Sequence, residues 1–135
     1  MGVIADFIIA TEPEALEYSR SQKGISSSNL LETKGITVVE LTTLLAILEG
    51  KEWQDELLDL FPTVSDSGDV TQVADRLLSR LTDFDYDLEA VSADWASTEE
   101  MHCEPEEART LIEQLAQLAV SAKQAGKPVY LWNCV

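Results

Sequence analysis

The sequence predicts an α+β fold that is mostly helical, with about five helices and a small sheet formed by the N- and C-terminal strands. Strand-like alternation at both ends of the chain and helical spacing of apolar residues between them support this fold. The length of 135 residues fits one domain, and a hydrophobic content of 45% provides for a core. We therefore expect residues 1–135 to form a single domain.

The first quarter of the chain predicts a strand, a helix and a connection. Residues 3–10 alternate two largely apolar faces, which is typical of a buried strand. Thr11 and Glu14 then form a capping-box pattern, so a helix should begin there and end near Gln22. Residues 23–36 are rich in Ser, Gly and Asn and predict an exposed, mobile connection.

Two helices are predicted next, packed as a hairpin. Thr37 and Glu40 repeat the capping-box pattern, a leucine-rich stripe follows, and Gly50 supplies a left-handed end. The second helix is indicated by apolar residues at helical spacing, namely Trp53, Leu57, Leu60 and Phe61.

Three further helices are predicted before the last strand. Asp69 and Gln72 can cap a helix whose stripe is Val70, Val73, Leu77, Leu78 and Leu81. The next stripe is Phe84, Leu88, Val91 and Trp95. The last helix begins at Pro105 and ends at Gly126, with three glutamates at its positive end.

Residues 128–135 alternate again and predict a strand that pairs with the N-terminal one. The two strands carry few charges, so their exposed edges would favour pairing with a second copy of the chain. A structural homo-oligomer, in the simplest case a homodimer, is therefore one functional alternative. Trp53, Trp95 and Trp132 each fall on an apolar stripe or strand face and are predicted to lie in the core.

The charge balance limits the partners and the compartment. The chain has 25 acidic and 9 basic residues and a net charge of −16, which opposes binding to nucleic acid and to anionic membranes. No apolar run approaches the roughly 18 residues that cross a bilayer, and no signal segment is recognisable. We expect a cytoplasmic protein in which Cys103 and Cys134 are reduced thiols.

The acidic residues concentrate in one part of the chain. Residues 81–108 contain ten carboxylates and no Lys or Arg. On one surface they would attract a basic partner, although such a run also serves simply to keep a protein solvated. The leading hypothesis is a non-enzymatic module that covers a basic protein partner, as immunity or inhibitor proteins do. The candidate binding residues are Asp83, Asp85, Asp87, Glu89, Asp94, Glu99, Glu100, His102 and Glu104.

Catalytic and metal-binding patterns are sparse. His102 beside Cys103 defines the second alternative, a small metal-dependent hydrolase, but with Cys134 it falls short of the four ligands of zinc unless Glu99 or Glu106 joins. Asp83, Asp85 and Asp87 match part of a calcium loop, which fails because Leu88 stands where Gly is required. No glycine-rich phosphate loop is present, so we predict no cofactor and no catalytic or metal site.

Two segments, MGVIADFIIATEPE and TVVELTTLLAILEGKEW, resemble small uncharacterised bacterial proteins of the YfbM-like kind. The resemblance implies a compact α+β cytoplasmic domain. It implies no activity and no site residues.

Overall fold

The computed structural model describes residues 3–134 and has an α+β architecture, with one antiparallel sheet in the order β2-β1-β4-β3. Its strands are β1 Ile4–Ile9, β2 Leu30–Lys34, β3 Val70–Gln72 and β4 Val129–Cys134. Its α-helices are α1 Glu12–Ser21, α2 Val38–Leu48, α3 Asp75–Asp83, α4 Leu88–Ala96 and α5 Pro105–Ala125. Within residues 3–134, no helix has the length and apolar character needed to cross a membrane.

The predicted pairing of the two terminal strands is confirmed. β1 and β4 run antiparallel from the pair Ile4 and Cys134 to the pair Ile9 and Val129. The prediction that these strands form the edges of the sheet is wrong, because β2 and β3 pair on their outer sides. Both strands are central, which explains why their two faces are apolar.

The exposed connection predicted for residues 23–36 contains strand β2. Its side chains alternate between the two faces of the sheet. Leu31 and Thr33 lie on the face of Phe7 and Ala5, and Glu32 lies on the face of Asp6. Thr33 Oγ1 also donates a hydrogen bond of 2.7 Å to the carbonyl oxygen of Ala5. Only the serine-rich part of this segment fits the prediction of an irregular connection. Its regular structure is limited to one 3₁₀ turn at residues 27–29.

The helix predicted from Asp69 begins later, at Asp75, because the residues before it form β3. The amide of Asn133 on β4 donates to the Asp69 carbonyl at 2.9 Å, and the amide of Val73 donates to the Val129 carbonyl at 2.9 Å. Pairing with a central strand thus prevails over a local capping pattern.

Two other helix predictions need correction. Residues 55–60 form only a 3₁₀ helix, and Trp53, expected in the core, is 41% exposed. The indole Nε1 of Trp53 donates to Thr42 Oγ1 at 2.8 Å, which ties the chain back onto α2. Phe84 does not belong to the stripe of α4, because it takes a left-handed conformation at the end of α3 and lies 62% exposed.

Helices cover both faces of the sheet. On one face, Phe7 of β1 and Leu131 of β4 pack with buried side chains of α2 to α5 in the main core. On the other face, Tyr18 of α1 packs edge-on against Trp132 of β4, with ring centroids 5.7 Å apart. The predictions that Trp95 and Trp132 are buried are confirmed.

The outer edge of β3 is closed by the preceding segment of the chain. The amide of Val70 donates to Ser65 Oγ, the carbonyl of Val70 accepts from the amide of Val64, and the amide of Gln72 donates to the Pro62 carbonyl, each at 2.9 Å. The backbone groups of this edge are therefore already paired.

Candidate functional site

The ten carboxylates between Asp83 and Glu107, which we call the acidic surface, are all exposed. Asp83 ends α3, Asp85 and Asp87 lie in the connection to α4, and Glu89 and Asp94 lie on α4. The remaining five follow α4, in the turn and in the first turn of α5: Glu99, Glu100, Glu104, Glu106 and Glu107. The candidate carboxylates thus lie along α4 and around both of its ends.

The position of α4 explains why its acidic residues face outward. Trp95 is fully buried, and its Nε1 donates to the carbonyl oxygen of Glu40 on α2 at 3.0 Å. The Asp87 side chain caps the helix by accepting from the amide of Ala90 at 3.2 Å. With Val91 and Trp95 directed to the core, Glu89 and Asp94 lie on the solvent side.

Few positive charges offset this surface. Among the described residues, Glu89 is the member of the acidic surface that forms an ion pair, and its partner is Arg109. Several other basic side chains form ion pairs with carboxylates outside the acidic surface. Arg76 and Arg80 bind Glu49, and Lys127 lies 3.3 Å from Glu14. The acidic surface therefore carries nine exposed carboxylates without an ion-pairing base in residues 3–134.

An exposed aromatic ring lies within the acidic surface. Phe84 stands between Asp83 and Asp85 and is 62% exposed. Beside it, Tyr86 and Leu88 line a groove of about 430 Å³ against the middle of α5. Exposed aromatic side chains of this kind are enriched at the centres of protein interfaces. The sequence does not reveal this feature, because Phe84 also fits the helical spacing of α4.

His102 and Cys103 lie in the turn between α4 and α5. The amide of His102 donates to the Thr98 carbonyl at 2.9 Å, and the amide of Cys103 donates to the Ala96 carbonyl at 3.2 Å. His102 has a left-handed backbone with φ of 39°. Within the described residues, the Cys103 thiol has a hydrogen bond with the backbone of Ala108, and no hydrogen bond joins the side chains of His102 and Cys103, so they do not form a dyad.

The chemistry of this turn does not favour nucleophilic catalysis. Burial, followed by the charge of Glu107, raises the pKa of the Cys103 thiol, which keeps it protonated at neutral pH. In residues 3–134, no three His, Cys, Asp or Glu side chains converge in a way that could hold a metal ion. Neither Glu99 nor Glu106 thus completes a ligand set with His102 and Cys103.

The sequence did not predict a second groove near the candidate residues. This groove has a volume of about 650 Å³ and lies between β2 and the first half of α5. His102 and Cys103 line one end, with Met101, Leu111 and Glu107 beside them. The groove depends on β2, whose alternation LLETK is present in the sequence but is too short to stand out beside a serine-rich stretch.

Comparison of the chain with protein-family models, with curated proteins and with solved structures finds no match. The resemblance to the YfbM-like proteins therefore stays a prediction.

Proposed function

We propose that this protein is a non-enzymatic, cytoplasmic binding module that covers a basic region of a protein partner. The observation that carries the proposal is the acidic surface, on which nine of ten exposed carboxylates have no ion-pairing base in the described chain. A net charge of −16 extends the same field over the molecule. Such a field speeds encounters with a positively charged protein and disfavours nucleic acids and anionic lipids.

Charge alone provides little affinity, because exposed ion pairs contribute only about 0–1 kcal/mol each. Phe84 supports the proposal for this reason. Its exposed ring lies among carboxylates and beside the groove that Tyr86 and Leu88 line. A desolvated aromatic anchor surrounded by charged groups combines affinity with orientation. We expect the complex to form quickly and to weaken as salt is added.

The two alternatives have less support. A small metal-dependent hydrolase that uses His102 and Cys103 lacks a convergent ligand set in residues 3–134, and the Cys103 thiol is protonated. A structural homo-oligomer was expected from apolar edges on the terminal strands, but those strands are central. A homodimer would also bring together two chains that each carry a charge of −16.

Two variants with equal net charge test the proposal. The surface variant replaces six carboxylates by the matching amides, at Asp83, Asp85, Asp87, Glu99, Glu100 and Glu104. The control variant does the same at six exposed carboxylates elsewhere, at Glu17, Glu52, Asp55, Glu56, Asp59 and Asp66. Both carry a net charge of −10 in place of −16. The Asp87→Asn change keeps a side chain that caps helices well.

Affinity capture at low salt from cells that express the protein compares the wild type with the two variants. The proposal expects a basic protein that the wild type and the control variant retain and the surface variant loses. That protein is then purified and titrated directly. Equal retention by all three proteins, or the absence of any basic partner, would contradict the proposal.

A further inference from the structure

The two edges of the sheet differ in whether their outward backbone groups are hydrogen-bonded. The β3 edge is closed by the segment from Pro62 to Ser65, as described above. No segment of residues 3–134 pairs with the outer side of β2. Sheet edges with unpaired backbone groups are usually shielded by the protein that contains them, because they accept further strands.

The hydrogen-bond register shows which groups of β2 are available. The amide of Gly35 donates to the Val3 carbonyl at 2.7 Å, and alternation along an antiparallel pair directs Thr33 and Leu31 toward β1 as well. Glu32 and Lys34 therefore direct their backbone amides and carbonyls away from β1. Within residues 3–134, no hydrogen bond reaches these outward groups.

A groove of about 650 Å³ lies beside this edge, and α5 forms its opposite wall. Partly buried apolar side chains lie along it, from Met101 and Cys103 in the turn and from Leu111 on α5. An incoming strand that pairs with β2 would direct every second side chain toward these apolar groups.

The charges at this edge indicate which side chains would occupy the other positions. Glu32 is exposed, and its side chain lies on the face of the sheet that carries Asp6 and Tyr18, away from α5. Lys34 shares that face, whereas Glu107 lines the groove on the α5 side. Side chains directly opposite each other on neighbouring strands interact most strongly, so a basic residue opposite Glu32 is favoured.

We propose that an extended segment of the partner, with basic and apolar residues in alternation, adds to the outer edge of β2 as a fifth strand in the groove between β2 and α5. This inference rests on the proposed function and specifies where and how the partner binds. Backbone pairing would supply affinity and the groove would select the side chains. A second copy of the chain is disfavoured as the occupant because each copy carries a charge of −16.

The experiment titrates the full chain with a short peptide of alternating lysine and valine. Glu32→Pro removes both the carboxylate and the outward amide, whereas Glu32→Thr removes the carboxylate and keeps the amide. Because the amide of Glu32 does not pair with β1, both variants should leave the sheet intact, and thermal unfolding checks this. We expect Glu32→Thr to weaken binding about twofold to fivefold and Glu32→Pro a further fivefold to tenfold.

Amide exchange in the wild type gives a readout that does not depend on any variant. The amides of Glu32 and Lys34 should become protected when the peptide binds, whereas those of Val70 and Gln72 at the closed edge should not change. Unchanged exchange at Glu32 and Lys34 would overturn the inference.

The remaining outcomes separate the two proposals. If Glu32→Pro and Glu32→Thr bind the peptide equally well, the strand inference fails. The proposed function still stands if the captured partner binds the surface variant more weakly than the control variant. If the wild type does not bind the peptide, the strand inference fails, and the proposed function is decided separately by the captured partner. If the captured partner binds the surface and control variants equally well, the proposed function fails and the inference that rests on it fails too. A wild-type dimer that Glu32→Pro converts to a monomer would assign the edge to a second copy and would also overturn the inference.

Discussion

At the scale of single residues, Glu49 at the end of α2 is held in an unusual environment for a carboxylate. Its side chain is only 3% exposed, and it accepts hydrogen bonds from Arg76 Nε at 2.7 Å and Arg80 Nε at 3.0 Å. These bonds, the one from Arg76 above all, lower the pKa of Glu49 below its ordinary value of 4.5. Two basic residues of α3 are thereby fixed to α2.

We predict that Glu49→Gln destabilises the protein by about 1–2 kcal/mol at neutral pH, because charge-assisted hydrogen bonds are lost. A lowered folded pKa contributes stability that is present above 4.5 and is lost as the pH falls through the folded value. The difference between variant and wild type should therefore shrink as the pH drops below 4.5. Urea unfolding across this range measures it.

Glu17→Gln is the matched control, since the ion pair of Glu17 with Arg20 is exposed on both sides. Its effect should stay below about 0.5 kcal/mol at every pH. An equal loss for both variants would contradict the role given to Glu49.

Ser92 on α4 is buried, and within residues 3–134 its Oγ has no hydrogen-bond partner. We predict that Ser92→Ala stabilises the protein by about 1 kcal/mol, because an unsatisfied buried hydroxyl is removed and Ala favours the helix. Ser97→Ala, where an exposed hydroxyl donates to the Asp94 carbonyl at 2.9 Å, should change stability by less than about 0.5 kcal/mol. Urea unfolding would show a stability loss for Ser92→Ala if that hydroxyl were needed.

The three tryptophans show how far single residues could be placed from the sequence. Trp95 and Trp132 are buried as predicted, because each lies within a regular element whose spacing sets its direction. Trp53 follows the end of α2 and precedes a 3₁₀ helix, so helical spacing has no meaning there. Its indole donates a hydrogen bond to Thr42, a contact that no local pattern encodes.

At the scale of elements, the two capping boxes differ in their surroundings. At α2, Glu40 is buried, and its carboxylate accepts from Thr37 Oγ1 at 2.9 Å. At α1, Glu14 is exposed and accepts from the amide of Thr11 at 2.8 Å. The same sequence pattern therefore has a buried carboxylate at one helix and a solvated one at the other.

We predict that Thr37→Ala destabilises the protein by about 1–2 kcal/mol and Thr11→Ala by about half as much. The larger effect arises because Thr37→Ala removes a hydrogen bond from the buried Glu40 carboxylate as well as the cap. Thermal and urea unfolding of the two variants provide the comparison. Equal losses would mean that the burial of Glu40 adds nothing to the cap.

The elements that could be predicted are those whose signals are local. Both capping boxes, the start of α5 at Pro105 and its end at Gly126 agree with the structure, since caps depend on neighbouring residues. The sequence did not predict β2 and β3, because they have only five and three residues and pair with strands that are distant in the sequence. At Val70, this long-range pairing overrides a local helical pattern.

At the scale of the whole molecule, charge is distributed unevenly. Repulsion within the acidic surface acts on the folded chain in addition to its overall charge of −16. Salt should relieve both effects, since the screening length falls from about 30 Å at 0.01 M to about 8 Å at 0.15 M.

We predict that the melting temperature of the wild type rises between these two salt concentrations, because repulsion outweighs the few exposed ion pairs. The surface variant should gain less than the control variant, although both carry a net charge of −10. Scanning calorimetry of the three proteins decides this. Equal gains for the two variants would mean that the carboxylates of the acidic surface repel one another no more than those elsewhere.

Much of the candidate site could be predicted, because charge is a property of composition. All nine candidate residues, from Asp83 to Glu104, are exposed as a binding surface requires. Phe84 and the groove beside β2 could not be predicted. The first depends on a left-handed residue at the end of α3, and the second depends on the position of a short strand against α5.

The binding role of the acidic surface is measured by the affinity of the captured basic partner for the wild type, the surface variant and the control variant. Calorimetric titration in low and in near-physiological salt gives the dissociation constants. We predict that the control variant binds as the wild type does, that the surface variant binds at least about tenfold more weakly, and that salt narrows the difference. Equal dissociation constants for the two variants at both salt concentrations would contradict a binding role for the acidic surface.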